Sequence, residues 1–189
     1  MLRRLMPVLV LLATSVPLSA SQFIQLPFDQ VAREATLIVR GTVVNTYSAW
    51  DSAHETIFTY ATVRVQRYIG ERTGPDTLMV REAGGTVGNY TQQAIGFPEL
   101  REGEQVVLLL SKWDDSDDWR IHAYNQGKFI VVKDPRGKEM LTEDPVKQGD
   151  ERLSKPDHLH AMPATAMTID EFEEMAVAAR EGRHIDRRN

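Results

Sequence analysis

The sequence has 189 residues and contains no cysteine. This absence excludes disulfide bonds, a cysteine nucleophile and a lipid attached to a cysteine at a leader cleavage site. A hydrophobic core must therefore hold the fold without covalent support. The length and the 42% hydrophobic content fit one globular domain with a sizeable core, and a second full domain is not expected.

The main hydrophobic run, residues 5–18, is too short to cross a bilayer, which requires about 20 residues. It follows two arginines and ends before the small residues Ser19 and Ala20, which is the layout of a secretory signal peptide. We predict a signal peptide over residues 1–20, cleavage near Ala20, and export to the periplasm or beyond the cell. No transmembrane segment is expected after leader removal. An uncleaved anchor is the alternative, disfavoured by two prolines inside the run.

Positive charge is not concentrated in any part of the sequence. Removal of residues 1–20 would leave 20 basic and 27 acidic residues, a net charge of −7, because the two arginines are the only charged residues lost. Nucleic acid and anionic lipid are therefore poor candidate partners. The basic residues within 183–188 are interpreted as a solvated tail.

Residues 57–69 contain neither glycine nor proline and alternate strictly, which predicts one long β-strand. One face carries Ile57, Thr59, Ala61, Val63, Val65 and Ile69, and the other carries Phe58, Tyr60, Thr62, Arg64, Gln66 and Tyr68. The segment would span roughly 43 Å, against roughly 17 to 20 Å for a typical strand. We expect such a strand to coil and to serve two edges of a small barrel.

Shorter alternating segments supply the other strands, at residues 37–44, 77–83, 105–110, 119–124, 128–133 and 139–141. Gly41 is expected at a bend or bulge in the first of them. The segment 105–110 is apolar on both faces, which predicts a barrel core on one side and a helix on the other. Residues 48–55 are predicted to be a polar connection in which Trp50 plugs a barrel end.

Two helices are predicted to flank the strands. A short N-terminal helix would be capped by Asp29 and share an apolar face formed by Phe28, Val31, Ala32 and Ala35. A C-terminal amphipathic helix is predicted over 168–182, where Thr168 and Glu171 form a capping box. Its apolar stripe comprises Ile169, Phe172, Met175, Ala176 and Ala179, and Gly182 ends it.

The predicted fold class is mainly β, with a small closed OB-like barrel of five or six strands and these two helices. The barrel domain would occupy residues 21–141, and the C-terminal helix would pack on it. Residues 142–167 hold three prolines among many charges and show no sustained period. This composition is typical of a long surface connection and compatible with disorder.

Three motifs resemble ligand sites in part. The glycine-rich residues 84–88 lack the lysine and hydroxyl residue of a P-loop, which favours a bulge where the barrel closes. The acidic residues 114–118 lack the glycine and glutamate of a calcium loop, which favours a plain hairpin tip with weak divalent-cation binding left open. His158 and His160 have no further zinc ligands that can be identified. No cofactor and no metal site is predicted.

Five segments carry a resemblance to a known group of proteins: TLIVRGTVV (36–44), YATVRV (60–65), REAGGTVG (81–88), GEQVVLLL (103–110) and GKF (127–129). Together they resemble a group of uncharacterised exported bacterial proteins, over roughly residues 28–132. Their barrel is similar to the OB-like barrel of tissue inhibitors of metalloproteinases, and the resemblance implies a closed barrel with flanking helices. Those inhibitors place an N-terminal cysteine on the target's zinc, so their mechanism cannot be carried over to a chain without cysteine.

The candidate ligand-binding residues lie on the outer face of the long strand and on the next strand. They are Phe58, Tyr60, Arg64, Tyr68 and Arg81. Aromatic rings beside a guanidinium can stack on sugars or pack against peptide, and OB-like barrels often bind ligands in this region. The alternative is that the N-terminal helix or the 142–167 connection covers these rings.

Two main functions follow as hypotheses. The first is an exported, non-enzymatic binding module or inhibitor-like barrel that contacts an envelope protein or a glycan. The alternative is a carboxylate-dependent hydrolase of the cell envelope that uses Glu82 with Asp51 or Glu55. The sequence has no Gly-x-Ser-x-Gly elbow and no His-Glu-x-x-His motif to support catalysis. A structural part of an envelope assembly is a third possibility.

Overall fold

A computed structural model describes residues 25–70, 72–143 and 167–183. In chain order the elements are α1 (Phe28–Glu34), β1 (Leu37–Trp50), β2 (Ile57–Tyr68), β3 (Thr77–Ala83), β4 (Gly85–Val87), β5 (Tyr90–Gln92), β6 (Gln105–Lys112), β7 (Trp119–Ile121), a 3-10 turn (Tyr124–Gly127), β8 (Lys128–Lys133), β9 (Glu139–Glu143), β10 (Met167–Thr168) and α2 (Ile169–Arg180).

Five strands close into a barrel in the order β1, β2, β3, β7, β6 and back to β1. Closure is possible because β1 pairs with β2 along one edge and with β6 along the other. All of these pairings are antiparallel except that between β3 and β7. The predicted small closed OB-like barrel is confirmed, and β8, β9 and β10 extend the sheet beyond it.

Gly41 lies at a bulge between β1 and β2, and the sequence predicts a bend or bulge at this residue. The register between β1 and β2 shifts by one residue between Arg40 and Gly41. A Cβ atom at Gly41 would lie 2.6 Å from the backbone oxygen of Arg64, so no side chain fits there. The missing side chain lets the two strands approach closely at the bulge.

The hydrophobic core has two parts that meet at β6. Val106, Leu108 and Leu110 point into the barrel, where they pack with residues of β1, β2 and β3 such as Val43, Val63 and Val80. Val107 and Leu109 point outward into a second cluster formed with both helices. The prediction that this strand is covered on both sides is therefore confirmed.

The outer cluster is organised by three phenylalanine rings, Phe28 of α1, Phe129 of β8 and Phe172 of α2. Their centroids lie 5.0 to 6.3 Å apart in edge-on or tilted arrangements. The predicted capping box of α2 is present, with Thr168 accepting from the Glu171 N–H at 3.2 Å. Arg180 joins the helices by donating to the Ala35 carbonyl at 2.8 Å.

Several local predictions are wrong. Asp29 does not cap α1: the N-cap residue is Pro27, and the Asp29 carboxylate pairs with Arg33 at 2.8 Å within the helix. β1 continues through Trp50, so residues 48–50 are strand and the connection is only Asp51 to Thr56. The strand predicted over 119–124 is shorter in the structure and ends at Ile121. Ala123 and Tyr124 adopt left-handed backbone conformations, which a strand cannot contain.

The glycine-rich segment is also different from its prediction. Residues 85–87 are β4, which forms a separate two-stranded hairpin with β5 instead of a simple bulge. The hairpin is fixed to the start of β2, where Gln92 accepts a hydrogen bond from the Ile57 N–H at 2.6 Å. Trp50 lies beside this hairpin, with its ring 5.8 Å from that of Tyr90.

The predicted signal peptide, 1–20, and His158 and His160 lie outside the described residues. Of the predicted 142–167 connection only the ends are described, and both are in strands, since β9 reaches Glu143 and Met167 pairs with Leu141. Within the described ranges, neither helix has the length and apolar character needed to cross a bilayer.

Candidate functional site

The outer surface of the barrel carries a row of side chains that crosses three strands. Tyr60 on β2 is paired directly with Tyr47 on β1 and with Arg81 on β3. Directly paired residues of antiparallel strands point to the same face, so these three side chains are neighbours. We call the group formed by Tyr47, Phe58, Tyr60, Arg81 and Trp113 the aromatic face.

Tyr47 and Tyr60 form the accessible end of the aromatic face. Their rings are nearly parallel, with centroids 5.1 Å apart and an interplanar angle of 10°. Tyr47 is 49% exposed, and Tyr60 is half-buried. Neither phenol oxygen has a hydrogen-bond partner among the residues that the structure describes, so both hydroxyl groups are available to a ligand or to water.

Arg81 forms the buried end of the aromatic face and is only 8% exposed. Its guanidinium lies 4.7 Å from the ring centroids of both Phe58 and Trp113. It forms an ion pair with Asp115, and Asp118 Oδ2 lies 3.9 Å from its Nε. The charge is thus balanced by the protein itself, and the geometry gives Arg81 a role in holding the rings in place.

Trp113 completes this arrangement from the segment between β6 and β7. Its Nε1–H donates to the Arg81 carbonyl at 2.8 Å, and its ring contacts Phe58 edge-on at 5.7 Å. The Arg120 guanidinium lies 5.2 Å from the Trp113 ring on the side toward β7. Rings and guanidinium groups therefore alternate around the barrel, which rigidifies the surface.

The other two predicted residues lie apart from this group. Arg64 is exposed and opposite Thr77, roughly 13 Å along the strand from Tyr60. Tyr68 lies still further along, where its hydroxyl donates to the Pro75 carbonyl at 2.7 Å. Burial, with a smaller effect of Asp76, raises the pKa of Tyr68. The structure therefore brings Phe58, Tyr60 and Arg81 together and leaves Arg64 and Tyr68 outside.

Two members of the aromatic face were missed in the sequence. Tyr47 was missed because the apolar alternation fades after Val44, although the strand continues. A prediction that β1 extends opposite the whole of β2 would have found it. Trp113 was missed because it follows the apolar run of β6 and precedes the acidic residues 114–118. No local pattern indicates that these segments meet Arg81.

The acidic residues 114–118 form the turn between β6 and β7, as predicted for a hairpin tip. Asp115 and Asp118 face Arg81, so part of the negative charge is matched within the fold. Over the described residues, no group of three or more histidine, aspartate or glutamate side chains is arranged to hold a metal ion.

The carboxyl groups of the hydrolase alternative lie in different environments. Glu82 is 4% exposed, and burial raises its pKa to about 8. Asp51 and Glu55 lie in the β1–β2 turn, where Asp51 accepts from the Glu55 N–H at 2.8 Å. This backbone hydrogen bond lowers the pKa of Asp51. Glu82 is therefore buried within the barrel, whereas Asp51 and Glu55 lie in a turn at its end, so the hydrolase alternative joins one buried carboxyl group to two in a surface turn.

The sequence matches no protein-family model, and a search of curated proteins gives no match.

Proposed function

We propose that the protein is an exported, non-enzymatic binding module or inhibitor-like barrel that contacts an envelope protein or a glycan through the aromatic face. The observation that carries this proposal is the stacked pair of exposed Tyr47 and half-buried Tyr60, which lies beside Arg81 and the two rings that its guanidinium contacts. The leader-like segment at residues 1–20 supports a location in the periplasm or outside the cell.

The aromatic face has the physical properties of a contact surface. Tyrosine rings offer a large apolar area with few rotatable bonds, and their hydroxyl groups add hydrogen bonds without a net charge. The contacts of Phe58, Arg81 and Trp113 hold the base of the face in one arrangement before a ligand arrives. Such preorganisation lowers the entropy lost on binding.

The resemblance to exported barrel proteins supports the same class of function. The inhibitors whose barrel is similar act by contact with another protein, but through a cysteine that is absent from this chain. Any inhibitor-like activity would therefore depend on side-chain contact alone. Tyr47 and Tyr60 are the members of the aromatic face best placed to provide it.

The experiment is affinity capture with the immobilised protein, using an envelope extract and, separately, an array of glycans. We expect a specific protein or glycan to be retained by the wild type and lost with Tyr47→Ala combined with Tyr60→Ala, the stacked pair of the aromatic face. The melting temperature should stay nearly unchanged, since both side chains lie on the surface. Tyr90→Ala is the matched control, because Tyr90 is 67% exposed and lies outside the aromatic face. Retention by the double variant equal to that of the wild type would contradict the proposal.

A further inference from the structure

A serine, a histidine and a glutamate from three elements form a chain of contacts on the outside of the barrel. Ser111 Oγ of β6 lies 3.0 Å from Nδ1 of His122, which follows β7. His122 Nε2 lies 3.6 Å from Oε2 of Glu34 at the end of α1. The second contact is longer than a hydrogen bond and is electrostatic.

The surroundings of His122 select one tautomer. Nε2 is buried and has no hydrogen-bond partner among the described residues, and the Glu34 carboxylate is the negative group that it faces. A proton on Nε2 is attracted by that carboxylate, whereas a lone pair there would be repelled. The proton therefore lies on Nε2, and Nδ1 accepts the hydroxyl proton of Ser111. A neutral histidine with one nitrogen accepting from serine and the other protonated toward a carboxylate can act as a base, and here the two nitrogens are exchanged relative to the Ser-His-Asp triad.

Burial, more than the nearby charges, decides the protonation state of the His122 ring. Burial is the main influence on His122 and lowers its pKa, Glu34 on α1 opposes this, and Arg120 on β7 adds to it. The imidazole is therefore neutral near pH 7. Arg120 is also the direct cross-strand partner of Ser111, so its positive charge lies on the same face as the hydroxyl.

The backbone after His122 is held in an unusual conformation. Ala123 and Tyr124 have φ angles of 55° and 59°, which are uncommon for residues other than glycine. A Cβ atom on Gly127 would lie 2.2 Å from the His122 carbonyl oxygen, so only glycine allows this approach. The His122 N–H donates to the Leu109 carbonyl at 2.8 Å. These constraints fix the imidazole beside Ser111, as is common at reactive sites.

From this geometry we propose that Ser111 is an activated nucleophile, and hence a site of covalent acylation by an ester-type acyl donor. The Ser111 oxygen attacks the acyl carbon and passes its proton to His122 Nδ1. The bond from the acyl carbon to the ester oxygen breaks, and the proton moves from Nδ1 to the departing alkoxide, which leaves as an alcohol. Arg120 stabilises the negative charge that develops on the carbonyl oxygen.

The step ends at acyl-serine and requires no turnover. It goes beyond the proposed binding function and does not depend on it, because none of Ser111, His122 and Glu34 belongs to the aromatic face. A failure of the acylation test would leave the binding proposal unaffected, and the reverse also holds.

The test is labelling of the folded full chain with a fluorophosphonate probe, which reacts with activated serines, followed by peptide mapping. We expect the adduct on Ser111, loss of the label in Ser111→Ala, and unchanged labelling in Ser52→Ala, a serine in the exposed β1–β2 turn. His122→Gln should slow labelling at least about tenfold because the base is lost. Glu34→Gln should slow it several-fold while leaving the fold intact, since the Glu34 side chain is partly exposed.

Two results would overturn the proposal. One is the absence of an adduct on Ser111 in the folded wild type at probe concentrations that label a known serine hydrolase. The other is labelling of Ser111 at the wild-type rate in both His122→Gln and Glu34→Gln. If His122→Gln does not fold, the rate for Glu34→Gln decides the matter.

Discussion

Glu82 on β3 accepts a hydrogen bond from the backbone N–H of Ile121 on β7, across the one parallel junction of the barrel. Within the described residues the backbone ladder between these strands has a single pair, Val80 with Trp119. Side chains therefore complete the closure at this seam. Glu82 Oε1 does so from inside the barrel, and the Trp113 indole does so from outside by donating to Arg81.

The first prediction concerns the pH dependence of stability. The pKa of Glu82 is about 8 in the folded protein, against an ordinary value of 4.5, because burial disfavours the charged form. Between these two values the folded state holds a proton that the unfolded state has lost, so the free energy of unfolding falls as pH rises. The total effect is up to about 5 kcal/mol.

Glu82→Gln tests this directly, because the amide oxygen can still accept from Ile121 while the side chain no longer titrates. We expect the wild type to lose stability relative to the variant from pH 5 to pH 9, measured by urea unfolding at several pH values. Parallel stability curves for the two proteins over this range would show that Glu82 does not ionise as described.

The second prediction concerns the contacts of Arg81 with Phe58, Trp113 and Asp115. Arg81→Met keeps the apolar stem but removes the ion pair with Asp115 and the stacking on two rings. We expect a loss of about 1 to 3 kcal/mol in the free energy of unfolding and a changed fluorescence of Trp113. Asp115 is exposed, so the variant leaves little uncompensated buried charge and the loss stays moderate.

Arg64→Ala is the matched control for Arg81→Met, since Arg64 is on the neighbouring strand and exposed. Its effect on the free energy of unfolding should stay within about 0.5 kcal/mol. Equal losses for the two variants would mean that the contacts of Arg81 do not stabilise the seam.

The third prediction separates steric overlap from backbone strain at glycines. Gly41→Ala would place a Cβ atom 2.6 Å from the Arg64 backbone oxygen, which cannot move without disturbing β2. We expect a cost of about 3 kcal/mol, measured by chemical denaturation. Gly88→Ala is the comparison, because Gly88 has a φ of +58° but no atom near its Cβ position. Its cost should be about 1 kcal/mol, and a smaller cost for Gly41→Ala than for Gly88→Ala would contradict the bulge geometry.

The fourth prediction concerns the cap of α2. Thr168→Ala removes both the acceptor for the Glu171 N–H and a donor to the Glu171 carboxylate. We expect a loss of about 1 kcal/mol in the free energy of unfolding. Thr73→Ala, at an exposed loop position, serves as the control and should have almost no effect. No difference between the two variants would show that the capping box does not stabilise the helix.

The features that could be predicted from the sequence are those that a local pattern specifies. The alternation of β2 identifies its inner face, and Ile57, Ala61 and Val63 are buried as expected. The apolar residues on both faces of β6 indicate its central position between barrel and helices. The capping box gives the start of α2 because its two residues are only three positions apart.

The features that could not be predicted depend on contacts between distant segments. Lys128 is fully buried, and its Nζ lies 2.9 Å from the Glu104 carboxylate, although the two are far apart in the chain. The ion pair of Arg81 with Asp115 likewise joins β3 to a turn that lies more than thirty positions later in the chain. The sequence alone therefore predicts the outer face of β2 but not the neighbours that turn Phe58, Tyr60 and Arg81 into one surface.

The central claim is that Tyr47 and Tyr60 contact the partner, and the most direct measurement is the dissociation constant of the captured protein or glycan. Tyr47→Ala combined with Tyr60→Ala should raise this constant about thirtyfold, corresponding to about 2 kcal/mol, while Tyr90→Ala leaves it unchanged. A dissociation constant for the double variant within about twofold of the wild-type value, in a protein of unchanged fold, would contradict the account.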